Sequence, residues 1–425
     1  MDVRITPSPL CGTLPAIPSK SDAHRILILA ALADRPTEVI LPALSKDIEA
    51  TLSCLSAMGA GIERLPGRIR VSPIPACGRP AAVRLDCGES GSTLRFLLPL
   101  AGALFDRAEF TGGGRLPERP LSPLREEMIR NGCVFSQPGS WPLTVQGRLT
   151  SGDFSLDGNI SSQFFTGLLI ALPLLAGDSR IQIASPLESS SYVDMTLSAL
   201  SRFGVRITRT ERAFEIPGGQ RYRSPGQIAA EGDWSNAAFW LTAGALTGAP
   251  DGVTVTGLDP DSLQGDREIA ALLRRAGAAV SFGGGSVTVQ PGASLRPMRI
   301  DAAPIPDLVP ILSVLASVSG GLTCIYNAGR LRIKESDRLS AVRELIVPLG
   351  GQVQEQRDSL LIIGKPALSG GEADSWNDHR IAMSAAVAAL VSEGPVLLHG
   401  AEAVEKSYPA FWDDYRRLGG KIDVL

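Results

Sequence analysis

Apolar residues along this chain gather in runs, each preceded by a short polar or basic stretch. The run Ile26–Leu32 follows Ser19, Lys20, Ser21 and Arg25, and its length predicts a helix that begins in the polar stretch. The first N–H groups of a helix have no internal partner and the macrodipole is positive there, so these residues add donors to a place suited to an anion. An ordinary cap, Ser21 or Asp22, on a buried helix accounts for the same pattern without a ligand. Recurrence favours the richer reading. Polar stretch and apolar run return at Ser90, Ser161, Ser235, Asp307 and Asn377, in steps of 69, 71, 74, 72 and 70 residues from Ser21. A second mark, a helix closing on a C-terminal Gly ahead of a hairpin, falls at Gly59, Gly132, Gly204, Gly277, Gly350 and Gly419, in steps of 73, 72, 73, 73 and 69. Two marks recurring six times predict six copies of one mixed helix-and-strand unit.

Length turns six units into two domains, because 425 residues exceed the roughly 250–300 at which a single core stops growing. Three units in each is the even division. Within the first unit, Val3–Thr6 reads as a strand, Asp47–Met58 as an amphipathic helix, and the alternation from Leu65 to Val71 as a hairpin. A formal net charge of −3 argues against a nucleic-acid surface and makes any basic site a local one. The six Cys have neither Cys-x-x-Cys spacing nor His partners, so they read as reduced and structural, with no metal site. The longest apolar run, Phe164 to Ala176, is shorter than the roughly 18 residues a membrane span needs, and residues 1–6 hold no apolar leader. A soluble cytoplasmic protein is the expectation.

Charge concentrates late in the chain. From Arg330 to Arg338 bases alternate with apolar residues and then give way to acids, which reads as a strand end or loop leading into a helix over Leu339–Leu349. Lys334, Glu335 and Arg338 would stand where that helix starts, an anion site with a carboxylate beside it. A solvated salt-bridged face is the plainer alternative. Asp378, His379 and Arg380 crowd another helix start, and Lys406 precedes a helix over Tyr408–Arg417. Arg119 before Pro120 is held extended after the glycine-rich loop Gly112–Gly114.

Taken together, Pro18–Ser21 with Arg25, Gly91 with Arg95, Glu118–Pro120, Ser161–Gln163, Glu231–Asp233, Lys334–Arg338 and Asn377–Arg380 resemble the motif set of the EPSP synthase family, the 3-phosphoshikimate 1-carboxyvinyltransferases. The resemblance runs from Lys20 to Lys406. It implies an α/β (α+β mixed) fold, a two-domain inside-out α/β barrel, each domain three βαβαββ repeats with pseudo-threefold symmetry. It further implies domains of 14–229 and of 1–13 with 230–425, a site in the cleft between them, and a monomer without metal or organic cofactor. The implied reaction moves the enolpyruvyl group of phosphoenolpyruvate to the 5-hydroxyl of 3-phosphoshikimate, in the shikimate pathway to chorismate and the aromatic amino acids. By motif match, Lys20, Ser21, Arg25, Ser161, Ser162, Gln163, Ser189, Asp307 and Lys334 would hold 3-phosphoshikimate. Lys20, Gly91, Arg119, Gln163, Arg338, Arg380 and Lys406 would hold phosphoenolpyruvate. Catalytic roles would fall to Asp307 as base, to Glu335 with Lys20 as proton donors, and to His379.

Two positions depart from the family pattern: Glu89, where many relatives carry Asn, and Arg330. An acid at 89 beside an anion demands a neighbouring base, Arg95 or another. The sister enzyme, UDP-N-acetylglucosamine enolpyruvyl transferase, would carry a Cys between Gly112 and Pro120, and none is there. A scaffold that kept the fold and lost the chemistry would lack Lys20, Asp307, Glu335 or Arg380, and all four are present.

Overall fold

The computed structural model describes residues 1–425 and divides into two units, Lys20–Ala230 and a discontinuous unit of Met1–Ser19 with Glu231–Leu425. Residues 14–19, expected with the first, lie in the discontinuous unit. Gly12–Pro15 pairs in parallel with Val253–Thr256, and Pro18 bridges Gly232, which carries the chain with that unit as far as Ser19.

Six helices belong to Lys20–Ala230: α1 (Lys20–Leu32), α2 (Lys46–Ala57), α3 (Gly91–Leu104), α4 (Leu124–Arg130), α5 (Ser162–Ala171) and α6 (Ser190–Arg202). Its three sheets have four strands each. In one, Ala82–Asp86 and Arg107–Thr111 run parallel, and Leu143–Gly147 and Cys133–Phe135 continue antiparallel. Parallel neighbours need a crossover, and α3 supplies it. The sheets built on Thr37–Ile40 and on Ser179–Ile183 repeat this order. Helices α1, α3 and α5 are buried on nearly all sides, from Asp22 to Ala31 in α1, so they form the core, whereas α2 and α6 bury one face.

The discontinuous unit repeats the plan with α7 (Trp234–Leu246), α8 (Ile269–Ala276), α9 (Val309–Ser317), α10 (Arg338–Ile346), α11 (His379–Ala388) and α12 (Phe411–Arg417). Here α7, α9 and α11 are the buried helices, and three four-stranded sheets again combine one parallel pair with antiparallel strands. All six glycines of the second repeating mark have positive φ, from 77° at Gly204 to 108° at Gly277, a conformation that favours Gly.

Prolines account for the helix ends that differ from expectation. The run from Phe164 stops being α-helix at Ala171 because Pro173 has no N–H, and a 3-10 turn Leu172–Leu174 follows. Helix α10 ends at Ile346 rather than Leu349, since Val347 precedes Pro348. Pro409 likewise restricts Tyr408, so α12 starts at Phe411. The basic segment expected as a strand end or loop instead forms a 3-10 turn, Gly329–Ile333. No helix is long and apolar enough to cross a membrane.

Candidate active site

In the unit Lys20–Ala230 most predicted ligand residues stand at helix starts, while Arg25 lies in the second turn of α1 and Arg119 closes the 3-10 turn Leu116–Glu118. Lys20 opens α1, and its Nζ lies 2.8 Å from Asp47 Oδ2 in the first turn of α2. Arg25, one turn on, is 2% exposed. Its Nε donates to Thr196 Oγ1 (2.9 Å), its Nη2 to the Tyr192 carbonyl (2.8 Å) and to Thr166 Oγ1 (3.4 Å), and its Nη1 to the Ser21 carbonyl. Four of its five N–H donors are therefore engaged by α1, α5 and α6. Arg25 ties three helices together. Ser161 caps α5 by accepting from the Gln163 N–H, and Ser162 is buried beside it. Ser189 stands at the N-cap position of α6 without a capping side-chain bond, in a left-handed conformation, φ 52°, that is uncommon for a residue with a side chain.

Two guanidinium groups converge on Gly91. A Cβ at that position would stand 2.5 Å from Arg119 Nη1 and 2.8 Å from Arg95 Nη1, so only Gly lets both lie against the first turn of α3. Arg95 is held by Gln163 Oε1 (2.9 Å) and the Pro120 carbonyl (2.9 Å), while Gln163 Nε2 donates to Ser92 Oγ (3.0 Å). Arg119 is 8% exposed. Glu89 lays its carboxylate over Gly114, whose missing side chain makes room for it. Paired guanidinium groups over backbone N–H groups are suited to a carboxylate or phosphate.

The second cluster belongs wholly to the discontinuous unit. Asp307 sits in the 3-10 turn Pro306–Leu308 that leads into α9, Arg338 opens α10, and His379 and Arg380 open α11 behind the cap Asp378. Arg338 is 1% exposed and binds three carboxylates: Nη1 to Asp307 Oδ1 (2.7 Å), Nη2 to Glu335 Oε2 (2.8 Å), and Nε to Asp378 Oδ2 (2.8 Å). Arg380 Nη2 reaches the other Asp307 oxygen at 3.1 Å, and Lys334 Nζ is 3.8 Å from Asp307. Lys406 Nζ donates to the Asn377 carbonyl at 2.6 Å, and His379 Nδ1 is 3.7 Å from Asp378. Asp378 caps α11 through the Arg380 N–H and also accepts from Ser336 Oγ.

The electrostatics follow from these contacts. Burial alone would raise the Asp307 carboxyl, yet the Arg380, Lys334 and Arg338 charges outweigh it and hold it well below the usual carboxylate range. Asp378 is depressed against the same burial penalty, chiefly by Arg338. Burial pulls the Lys334 ammonium down, opposed by Asp307 and Glu335. Asp266, in the 3-10 turn Gly265–Glu268, moves the other way, to about 7, through burial and the nearby Asp307 charge. One of its oxygens bonds Ser235 Oγ, and the other is buried without a partner.

The residues predicted from the sequence divide between the two units, Lys20, Ser21, Arg25, Gly91, Arg119, Ser161, Ser162, Gln163 and Ser189 in Lys20–Ala230, and Asp307, Lys334, Glu335, Arg338, His379, Arg380 and Lys406 in the discontinuous unit. Asp47, Thr166, Thr196 and Asp266 are not marked by the sequence, and Asp378, noted there beside His379, is given no role of its own. Asp378 had a signal, its place between Asn377 and His379. The threonines had none, since nothing in their surroundings along the chain marks them as Arg25 partners.

The chain resembles known proteins over nearly its whole length. The family described as EPSP synthase (3-phosphoshikimate 1-carboxyvinyltransferase) matches residues 5–415. The 3-phosphoshikimate 1-carboxyvinyltransferase of Clostridium kluyveri is 45% identical, over 99% of this chain and 98% of that one, and the Clostridium acetobutylicum enzyme is 43% identical with the same coverage. Among solved structures, EPSP synthase from Acinetobacter baumannii superposes with a TM-score of 0.81 at 25% identity over the whole of both chains. The enolpyruvyl transferase NikO from Streptomyces tendae, at 20% identity, 0.78 and 99% and 98% coverage, shares the fold.

Proposed function

This chain belongs to the EPSP synthase family, and from that premise we propose that it transfers the enolpyruvyl (1-carboxyvinyl) group of phosphoenolpyruvate to the 5-hydroxyl of 3-phosphoshikimate, releasing phosphate. The observation that carries the reading is Asp307, an ionised carboxylate fixed by Arg338 and Arg380 with Lys334 and Glu335 close by. We assign Asp307 to accept the 5-hydroxyl proton as that oxygen bonds to C2 of phosphoenolpyruvate. Glu335 and Lys20 are assigned to deliver a proton to the methylene carbon, which becomes a methyl group. Elimination then breaks the C2–O bond to phosphate and removes a methyl proton, which restores the double bond. His379, whose Nδ1 lies 3.7 Å from Asp378, is assigned to this proton traffic.

Two anionic substrates need converging cations, and bidentate guanidinium suits both carboxylate and phosphate. We assign phosphoenolpyruvate to Gly91, Arg119, Gln163, Arg338, Arg380, Lys406 and Lys20. The phosphate and hydroxyls of 3-phosphoshikimate are assigned to Ser21, Arg25, Ser161, Ser162, Ser189 and Lys334, with Lys20, Gln163 and Asp307 shared. The test is release of inorganic phosphate from phosphoenolpyruvate with 3-phosphoshikimate present, absent, or replaced by UDP-N-acetylglucosamine. Release that requires 3-phosphoshikimate is expected. Equal release without it, or with the sugar nucleotide in its place, overturns the proposal.

A further inference from the structure

A chain of buried hydroxyls runs from His24 to the start of α3, and counting protons gives it a direction. His24, Thr51 and Thr93 have 0% exposure and Ser90 has 1%. His24 Nδ1 lies 2.8 Å from Thr51 Oγ1, Thr51 Oγ1 lies 2.7 Å from Thr93 Oγ1, and Thr93 Oγ1 donates to Ser90 Oγ at 2.7 Å. A hydroxyl has one proton and two lone pairs. Thr93 gives its proton to Ser90, the alternative Asp47 carbonyl being at 3.4 Å, so Thr51 must be the donor to Thr93. Thr51 then has no proton left for the imidazole, and His24 must donate from Nδ1. The ring is therefore a neutral Nδ1–H tautomer, and its Nε2, buried with no hydrogen-bond partner, is a bare lone pair. Burial, reinforced by the Lys20 and Arg25 charges, keeps a second proton off the ring.

The far end of the chain is the consequence of interest. Ser90 Oγ accepts from both the Thr93 hydroxyl and the Thr93 backbone N–H at 3.1 Å, so both of its lone pairs are occupied. Its own proton has no acceptor in the protein, although the side chain is buried. A helix cap uses only the lone pairs, so capping explains half of this residue. Leaving a buried donor unsatisfied is unfavourable, and such a group calls for a partner from outside the chain. The next residue is Gly91, against which the Arg119 and Arg95 guanidinium groups lie.

We propose that the Ser90 hydroxyl is a further substrate-binding donor, aimed by the His24–Thr51–Thr93 chain at an anionic oxygen of the phosphoenolpyruvate held at Gly91 and Arg119. The proposal rests on the assignment of that anion to this site. His24, Thr51 and Thr93 are positioning residues that touch no substrate.

The experiment measures phosphate release by the full chain with phosphoenolpyruvate varied at saturating 3-phosphoshikimate, alongside thermal unfolding. Ser90→Ala should raise KM for phosphoenolpyruvate about tenfold, the low end for a hydrogen bond to a charged group, with kcat and KM for 3-phosphoshikimate within about twofold. Thr93→Val leaves the backbone cap intact and should move the same KM in the same direction. His24→Leu should do so more weakly, and His24→Asn, whose amide can still donate to Thr51, should restore it. Unchanged KM in both Ser90→Ala and Thr93→Val, with only the unfolding temperature lowered, makes Ser90 a cap alone and overturns the proposal. Nitrogen-15 NMR showing His24 protonated on Nε2 overturns it independently. Wild-type phosphate release without 3-phosphoshikimate would instead reject the reaction itself, and that outcome is read before any variant is compared.

Discussion

Replacing Arg338 by Met keeps side-chain length and removes the charge that three carboxylates share. Asp378 is 0% exposed in its side chain, Asp307 15% and Glu335 22%. After the change Asp378 keeps only the Ser336 hydroxyl at 3.0 Å, the Arg380 N–H at 2.9 Å and the more distant His379. Removing one partner of a buried ion pair leaves an uncompensated charge, which costs about 3–5 kcal/mol. A unit of this size shifts its Tm by roughly 2–4 °C per kcal/mol, so a loss of about 6–20 °C is expected in ligand-free protein. Scanning calorimetry should show it in the transition of the discontinuous unit, with the transition of Lys20–Ala230 in place.

The pH dependence gives the prediction its sign. In the native protein Asp378 and Asp307 have depressed pKa values, so their contribution is present above the unfolded carboxyl range, near pH 4, and is lost as pH falls through the folded values. Without Arg338, burial dominates and raises the Asp378 pKa. The variant's deficit should therefore be full at pH 7 and shrink toward pH 4 as that carboxyl takes up a proton. Adding Asp378→Asn to Arg338→Met should recover part of the loss at pH 7. A deficit under about 1 kcal/mol at pH 7, or one that stays constant down to pH 4.5, would refute the view that Arg338 compensates buried charge.

Asp307→Asn keeps the shape and the hydrogen-bonding reach but cannot accept a proton, so kcat should fall about a hundredfold to ten-thousandfold with KM changed far less. Lost affinity with intact kcat would make Asp307 a binding residue only. Asp266 is raised to about 7, above its unfolded value, so the protein loses stability as pH rises from about 4 through 7. Asp266→Asn should raise Tm at pH 8 and leave it unchanged near pH 4, as thermal unfolding across that range will show, and equal shifts at both ends would reject the assignment.

The repeat was legible because both of its marks are local. A polar helix start needs only the residues of one turn, and a C-terminal Gly needs only its own φ. The clusters were legible in their charges, because Lys334–Arg338 and Asp378–Arg380 are consecutive in the chain. What each charge is bonded to was not. Arg25 is satisfied by Thr166 and Thr196, 141 and 171 residues away, and Arg338 reaches Asp378 across 40 residues. Hydroxyl partners at such separations leave no periodicity and no charge pattern. Side-chain partners of Arg95 show the same limit: its bonds to Gln163, 68 residues on, and to the Pro120 carbonyl are set by the fold alone.

The economy of charge in the discontinuous unit bears on how a weak base can do the work assigned to Asp307. Depressed as it is, the carboxylate binds a proton poorly while Arg338 Nη1 and Arg380 Nη2 both point at it. Those guanidinium groups are also the ones assigned to phosphoenolpyruvate. Four of the five Arg338 donors are directed at carboxylates and Arg380 Nη2 donates to Asp307, so an arriving anion shares guanidinium charge that Asp307 now uses. Each hydrogen bond that turns from Asp307 to the substrate removes part of the attraction that holds its pKa down, and burial, which pushes the other way, remains. The proton affinity of Asp307 should accordingly rise when the anion binds. The acid limb of a kcat profile, which reports the substrate complex, should then lie at higher pH than the limb of proton uptake by Asp307 in the free protein.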